Sequence, residues 1–153
     1  MDLQHLKWTK NVKRKDDDWA YKEFKVFDLF KLAWKNDEKN ADKPAKNDLI
    51  LLRQKGYVTH LVKVLDYKSE HEDEKHDYDV YRIVEVLWII NFSCPPTLAK
   101  ADVLFNYPEV LKYQSGHIME LESLPTFKKS WEEKSGLKGF QVHIEELLAL
   151  SNV

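Results

Sequence analysis

Four basic side chains fall within six positions near the start of the chain, and two tryptophans flank them. The basic residues are Lys10, Lys13, Arg14 and Lys15, and the tryptophans are Trp8 and Trp19. Cations of this kind can hold phosphate groups, and indole rings can stack on nucleobases. A solvated loop balanced by the acidic run 16–18 would explain the cations equally well. Packing in the core is the alternative for both tryptophans.

Three polar residues have side chains that could test the edge of a base, namely Thr9, Asn11 and Gln54. An amide offers both a donor and an acceptor, which the edge of adenine or cytosine requires. Turn and cap hydrogen bonds are the alternative for such residues. Arg53, next to Gln54, is a fifth candidate for holding a phosphate.

No catalytic or metal-binding motif accompanies these residues. The chain has no glycine-rich phosphate loop, no G-x-S-x-G turn, no H-E-x-x-H and no paired spacing of zinc ligands. His60 alternates with valines and is predicted to be a hydrogen-bonded core residue, and Cys94 is predicted to be a buried small residue. We therefore expect neither an enzyme nor a bound metal or cofactor.

The length and net charge of the chain limit the number of domains and the kinds of partner that it can have. The 153 residues fit a single domain spanning positions 1–153, and the net charge of −2 argues against a protein that coats nucleic acid. A reader of one exposed base needs only a local basic patch. With one cysteine, no signal peptide and no apolar run longer than Val86–Ile90, we expect a soluble cytoplasmic protein that does not contact membranes.

The elements that would position these residues follow from hydrophobic periodicity. We predict a strand at 3–10, a polar loop at 36–48 and a hairpin at 47–67 that turns at Gly56. A charged loop at 68–79 and a central strand at 80–90, covered on both faces, are predicted to follow. Segment 19–35 has apolar residues at helical spacing, with acids before it and lysines at its end, so we predict a helix. The competing interpretation is a strand, because the apolar residues between positions 24 and 34 also alternate. Short helical pieces follow residue 94.

The segments KNDLILLRQKGYVTHLVKVLD (46–66) and VYRIVEVLWI (80–89) resemble the PUA-like superfamily, in particular its EVE and YTH domains and the EVE-like modules of some modification-dependent restriction systems. Asn47 stands where glycine is common in those families. The resemblance implies an α+β fold, with a partly closed β-barrel and flanking helices. It also implies an aromatic-walled pocket, between the barrel and the first helix, that accepts a base, often a modified one.

On this basis we expect a non-catalytic module that binds DNA or RNA through one modified or flipped base. Trp8 and Trp19 would stack on the base, and three polar groups would test its edge, namely Asn11, Gln54 and Tyr57. The phosphates would be held by Lys10, Lys13, Arg14, Lys15 and Arg53. An effector protein or domain is a further expected partner. The alternatives are a protein-interaction module on the same fold and an RNA hydrolase of the ASCH type.

Overall fold

Seven strands form one mixed sheet in the part of the chain that this computed structural model describes, residues 2–72 and 79–151. The strands are β1 (Leu6–Asn11), β2 (Leu29–Trp34), β3 (Leu49–Gln54), β4 (Tyr57–Val64), β5 (Glu70–His71), β6 (Val80–Ile89) and β7 (Ile118–Glu120). Their order across the sheet is β2-β6-β4-β3-β1-β7, with the short β5 also paired to β6. Strands β1 and β3 run parallel, and the other pairs are antiparallel.

The helices are short except for the last one. They are α1 (Glu38–Ala41), α2 (Ala101–Phe105), α3 (Pro125–Trp131) and α4 (Gly136–Ser151). Short 3-10 segments lie at Thr97–Ala99, Pro108–Lys112, Leu121–Ser123 and Glu132–Lys134. Apolar residues form two buried clusters. One joins β3 and β4 to the C-terminal helices, and the other contains side chains of β1, β2, β3, β4 and β6.

The two edge strands of the sheet are brought together by one buried asparagine. Asn40, on α1, accepts hydrogen bonds from Trp34 Nε1 of β2 (2.8 Å) and from the Ile118 backbone N–H of β7 (2.7 Å). Its amide also donates to the Ile118 carbonyl (3.3 Å). The sheet therefore curls into a half-barrel whose open side is bridged by a side chain rather than by strand pairing. The chain is an α+β protein with a curled mixed sheet and helices beside it.

We expect Asn40→Leu to lower the free energy of unfolding by about 2–6 kcal/mol, because it leaves two buried donors without an acceptor and each such loss costs about 1–3 kcal/mol. Equilibrium unfolding in urea measures the change. The exposed neighbour provides the control, since Lys39→Leu alters no buried hydrogen bond. Equal stabilities for the two variants would show that Asn40 does not hold the sheet edges.

The helix predicted at 19–35 was wrong. The second half of that segment is β2, in which Phe30, Leu32 and Trp34 are buried while Leu29 and Lys31 are exposed. The first half is a series of turns, and positive φ angles at Tyr21 (59°) and Phe27 (76°) interrupt any helix there. Pairing with β6 satisfies the backbone of β2, so the alternating pattern prevailed over the helical one.

Several other predicted elements are present with changed details. The hairpin is confirmed, with positive φ at Lys55 (52°) and Gly56 (82°) in its turn. Loop 36–48 contains the unpredicted α1, which Asp37 caps by accepting a hydrogen bond from the Asn40 backbone N–H. Strand β6 is central as predicted, with one face buried and the other only half-buried, so the second face is covered in part rather than fully. Part of the charged loop, 73–78, lies outside the described residues.

Cys94 is exposed, so its predicted burial was also wrong. It lies in a surface turn that follows β6. The Asn91 side chain accepts hydrogen bonds from the backbone N–H groups of Ser93 (3.0 Å) and Cys94 (3.3 Å) in that turn. Asparagine commonly organises such turns, and they lie at the surface because their backbone needs water.

Candidate nucleic-acid interface

Two adjoining clefts lie on either side of the segment that follows β1. The first cleft has a volume of about 300 Å³ and is lined by Lys10, Asn11, Val12, Lys13, Arg14, Ala20, Tyr21, Glu23, Ala33, Gln114, Ser115 and Gly116. The second cleft has a volume of about 460 Å³ and is lined by Asn11, Val12, Lys13, Asp17, Arg53, Lys55, Gly56, Ala101, Val110, Leu111 and Gln114. Asn11 and Lys13 line both clefts, so a ligand could contact both at once.

Basic residues outnumber acidic ones in each cleft. The first has three basic residues (Lys10, Lys13, Arg14) against Glu23, and the second has three (Lys13, Arg53, Lys55) against Asp17. Of the five basic residues predicted to hold phosphates, four therefore line a cleft. Lys15 is exposed and lines neither of them. The excess of positive charge suits an anionic ligand.

Lys10 is a buried cation in the first cleft. Strand β1 pairs with β3 on one side and β7 on the other, which leaves Lys10 only 2% exposed. Its Nζ lies 5.0 Å from the centroid of the Trp34 ring. Burial, together with the nearby Arg53 charge, lowers the pKa of Lys10 to about 7. The positive charge of this cleft therefore changes near neutral pH.

Arg53 is buried beside the second cleft and links β3 to the C-terminal layer. Its Nε donates to Thr9 Oγ1 (2.7 Å), and its Nη1 donates to the carbonyls of Val110 (3.3 Å) and Tyr113 (2.8 Å). All three acceptors are neutral oxygens. Its Nη2 is enclosed and has no hydrogen-bond partner in the described part of the chain.

Asn11 is a predicted base-reading residue whose side chain stays free in the described part of the chain. It lines both clefts, and within residues 2–72 and 79–151 its side-chain amide has no hydrogen-bond partner. Gln54 is different, because its amide is fully used. Its Oε1 accepts from the Ala20 backbone N–H (2.7 Å), and its Nε2 donates to the Ala20 carbonyl (3.0 Å) and to Thr59 Oγ1 (3.0 Å). Gln54 is thus a positioning residue and cannot also read a base.

A buried polar chain continues from Gln54 and fixes the wall of the first cleft. Thr59 Oγ1 lies 2.8 Å from His60 Nδ1, and His60 Nε2 lies 3.0 Å from the Tyr21 carbonyl. Because a carbonyl only accepts, Nε2 carries the proton and Nδ1 accepts from Thr59. Burial lowers the pKa of His60 to about 4, so the imidazole is neutral. The prediction of a hydrogen-bonded core histidine is confirmed.

Trp8 cannot be an open wall of either cleft. It is buried in the core cluster on the inner face of the sheet, and its Nε1 donates to Asp48 Oδ2 (2.9 Å). The same carboxylate oxygen accepts from the Ala45 backbone N–H (2.9 Å). The pairing of Trp8 with a residue 40 positions away was not visible in the sequence, and it explains why the predicted base-stacking role does not fit.

Trp19 and Tyr57 belong to a half-buried aromatic group outside the two clefts. The Trp19 ring packs against Tyr57 (6.1 Å between centroids) and Phe92 (5.4 Å). Lys55 Nζ lies 5.0 Å from the Trp19 centroid. The aromatic residue that does line the first cleft is Tyr21, which the sequence analysis did not select. Its ring stacks on Phe30, with 4.3 Å between the centroids.

Comparison with family models, with curated proteins and with solved structures finds no match for this chain. The resemblance to PUA-like domains therefore stays a prediction. No helix in the described part of the chain is long and apolar enough to cross a membrane. Over the same residues, no group of three or more His, Cys, Asp or Glu side chains is arranged to hold a metal ion.

Proposed function

We propose that this chain is a non-catalytic nucleic-acid-binding module of the PUA-like type that accepts an extruded base in the first cleft. The observation that carries the proposal is the convergence of basic residues on two adjoining clefts that share Asn11 and Lys13. A ligand with a flat polar group and regularly spaced negative charges matches that arrangement. A strand of DNA or RNA has both.

In the proposed complex the base enters the first cleft beside Tyr21, and the free amide of Asn11 tests its edge. Lys13 and Arg14 hold the flanking phosphates. Extrusion of a base from a duplex costs a few kcal/mol, and stacking returns about 1–3 kcal/mol per base. A single-stranded or damaged site, in which the base is already unpaired, is therefore the favoured ligand.

We expect the double variant Lys13→Ala/Arg14→Ala to bind single-stranded DNA or RNA about tenfold more weakly at low salt, because two phosphates are left without a cationic partner. Its salt dependence should also be shallower, by about 0.7 in the logarithmic slope for each phosphate that is no longer neutralised on a single strand. Fluorescence anisotropy at two salt concentrations, with DNA, RNA and duplexes carrying a modified base, measures both effects.

Two controls sharpen this experiment. Lys15→Ala removes an exposed cation that lines neither cleft, so affinity should stay within about twofold of the original at low salt. Trp19→Leu should also leave affinity unchanged, because that ring packs outside the clefts. Absence of binding to every nucleic acid at low salt would rule out the proposed function.

Exposed apolar residues at the start of β2 support a second candidate function, that of a protein-interaction module. Val26, Phe27 and Leu29 are 41%, 74% and 54% exposed, and they lead directly into the edge strand β2. Edge strands with exposed apolar residues can pair with a strand of a partner protein. For a protein-interaction module, Phe27→Ser should abolish binding of the partner protein at β2, whereas Lys13→Ala/Arg14→Ala should leave that binding unchanged.

A further inference from the structure

The guanidinium of Arg53 has a charge that its neighbours do not neutralise. The side chain is only 3% exposed, and every hydrogen bond it makes within the described residues ends on a neutral oxygen. A buried cation is ordinarily paired with an anion, because removing a charge from water is costly. Burial lowers the pKa of Arg53 to about 10, which still leaves it protonated at neutral pH.

The unused part of this guanidinium is the Nη2 group with its two N–H donors. Nε and Nη1 already point at Thr9, Val110 and Tyr113, so only Nη2 remains for a ligand. A guanidinium donates best to a carboxylate or a phosphate, whose oxygens match the spacing of its N–H groups. The second cleft, which Arg53 lines, is where such an anion could approach.

Tyr107 supplies another buried donor that is unused within the same part of the chain. Its side chain is 5% exposed, and its hydroxyl has no hydrogen-bond partner among the described residues. Burial raises the pKa of Tyr107, and the neighbouring Arg53 charge partly opposes that rise. The phenol is therefore neutral and able to donate one hydrogen bond, and it senses the Arg53 charge although it does not itself line the second cleft. Buried polar groups are ordinarily hydrogen-bonded, so two unsatisfied donors call for an acceptor that the described protein does not supply, such as a water molecule or an anion.

The rim of the second cleft adds two more cations, Lys13 and Lys55, against the single carboxylate of Asp17. Leu111 and Gln114 complete the rim with exposed side chains, which can change rotamer without breaking any strand pairing. An anion reaches the enclosed Nη2 only if such side chains move. With Arg53, the second cleft has three cations against one carboxylate, so an anion with a single negative charge would not neutralise it.

These observations indicate the kind of anion. A phosphodiester inside a strand carries a substituent on both sides, so it cannot push one end into a buried site. A phosphate monoester carries one substituent and, near pH 7, up to two negative charges. We infer that the second cleft binds a phosphate monoester dianion, with Arg53 Nη2 and the Tyr107 hydroxyl donating to its oxygens and Lys13 and Lys55 neutralising it at the rim.

The monoester could be the phosphorylated end of a strand or a free nucleotide. The first source rests on the proposed function, since the strand would continue from the second cleft past Asn11 into the first. The second source does not. The shared chemistry is the terminal phosphate, and the two sources are separated by which ligands bind.

The test uses the full chain and three single strands of identical sequence, carrying a 5′-phosphate, a 3′-phosphate or hydroxyls at both ends. Inorganic phosphate and a nucleoside monophosphate are titrated separately by calorimetry. We expect one of the two phosphorylated strands to bind at least tenfold more tightly than the hydroxyl strand, because charge-assisted hydrogen bonds form only with the terminal group. Inorganic phosphate should compete and remove that preference.

Tyr107→Phe is the decisive variant, because it removes a hydroxyl that has no partner in the described protein and so leaves the fold intact. It should weaken the preference for the phosphorylated strand several-fold without lowering the unfolding temperature. Arg53→Gln should abolish the preference, provided that its circular dichroism matches the original. Lys46→Ala, an exposed cation that lines neither cleft, is the control.

The outcomes separate this inference from the proposed function. Equal affinity for all three strands, with no binding of inorganic phosphate or the monophosphate, overturns the inference even if Lys13→Ala/Arg14→Ala still weakens strand binding. Binding of phosphate or the monophosphate without any strand binding overturns the proposed function and supports a free nucleotide as the ligand. A folded Tyr107→Phe variant that keeps the full preference would overturn the inferred site, in which both buried donors bind one anion.

Discussion

Replacing Arg82 by methionine is expected to lower the free energy of unfolding by about 3 kcal/mol, because removing one member of a buried ion pair leaves the other uncompensated. Arg82 is 0% exposed on the inner face of β6. Its Nε donates to Asp66 Oδ1 (2.6 Å) and its Nη2 to the Asp66 carbonyl (3.0 Å). Its Nη1 donates to the carbonyls of Ala41 (2.9 Å) and Pro44 (2.8 Å).

Replacing Arg82 removes hydrogen bonds to the backbone as well as the ion pair with Asp66. Arg82 ties the segment 41–44, at the end of α1 and just after it, to the central strand, and α1 carries the asparagine that bridges the sheet edges. The Asp66 side chain is 22% exposed and can recover some hydration, which keeps the expected effect toward the lower end of the range for buried pairs.

Equilibrium unfolding in urea measures this effect, and Lys31→Met is the comparison. Lys31 forms an exposed ion pair with Glu72 (2.7 Å), and such pairs contribute about 0–1 kcal/mol. Arg82→Lys keeps the charge but cannot reach all four acceptors, so its stability should fall between those of the original and Arg82→Met. A loss below about 1 kcal/mol for Arg82→Met, with an unchanged denaturant slope, would contradict the assigned role.

Elements whose signal is local were predictable from the sequence. The hairpin needed only two β-rich runs and a Lys-Gly turn, and β6 needed only a long apolar run. The prediction for segment 19–35 failed because its apolar residues fit both helical spacing and the alternation of a strand. The choice between the two depends on whether β6 is available for pairing. That availability is a property of the whole fold, which a window of sequence does not contain.

The residues of the candidate site also differ in whether their roles depend on local or on distant partners. Lys10, Lys13 and Arg14 line the first cleft together because they lie close to one another along the chain. The roles of Trp8, Gln54 and Arg53 depend on partners 40, 34 and up to 60 residues away. Side chains with distant partners look identical in sequence to free ones. Tyr21 and Gln114 carry no local signal that would have selected them for the first cleft.

Lys10 is expected to make the stability of the protein strongly dependent on pH above neutrality. Its pKa is lowered to about 7 in the folded chain, by burial and by the Arg53 charge, from 10.5 for an ordinary lysine. Between those two values the unfolded chain holds a proton that the folded chain has released. Stability therefore rises with pH across this window, and it is lost as pH falls toward 7.

The comparison with Lys10→Met isolates this residue, because all other groups titrate in both proteins. The free energy of unfolding of the original, relative to the variant, should rise by about 1.4 kcal/mol per pH unit between pH 7 and 10.5, or roughly 5 kcal/mol in total. Urea unfolding at about one-unit steps across this window gives the slope. A flat difference would mean that Lys10 keeps an ordinary pKa.

The same titration connects stability to the ligand. An anion in the first cleft favours the ammonium form of Lys10, so binding raises its pKa and takes up a proton. Affinity should then fall as pH rises from about 7 to about 9, and the fall should disappear in Lys10→Met. Calorimetric titrations in two buffers of different ionisation enthalpy measure the proton uptake directly. Binding that is strong but unaccompanied by proton uptake at about pH 8 would place the anion away from Lys10.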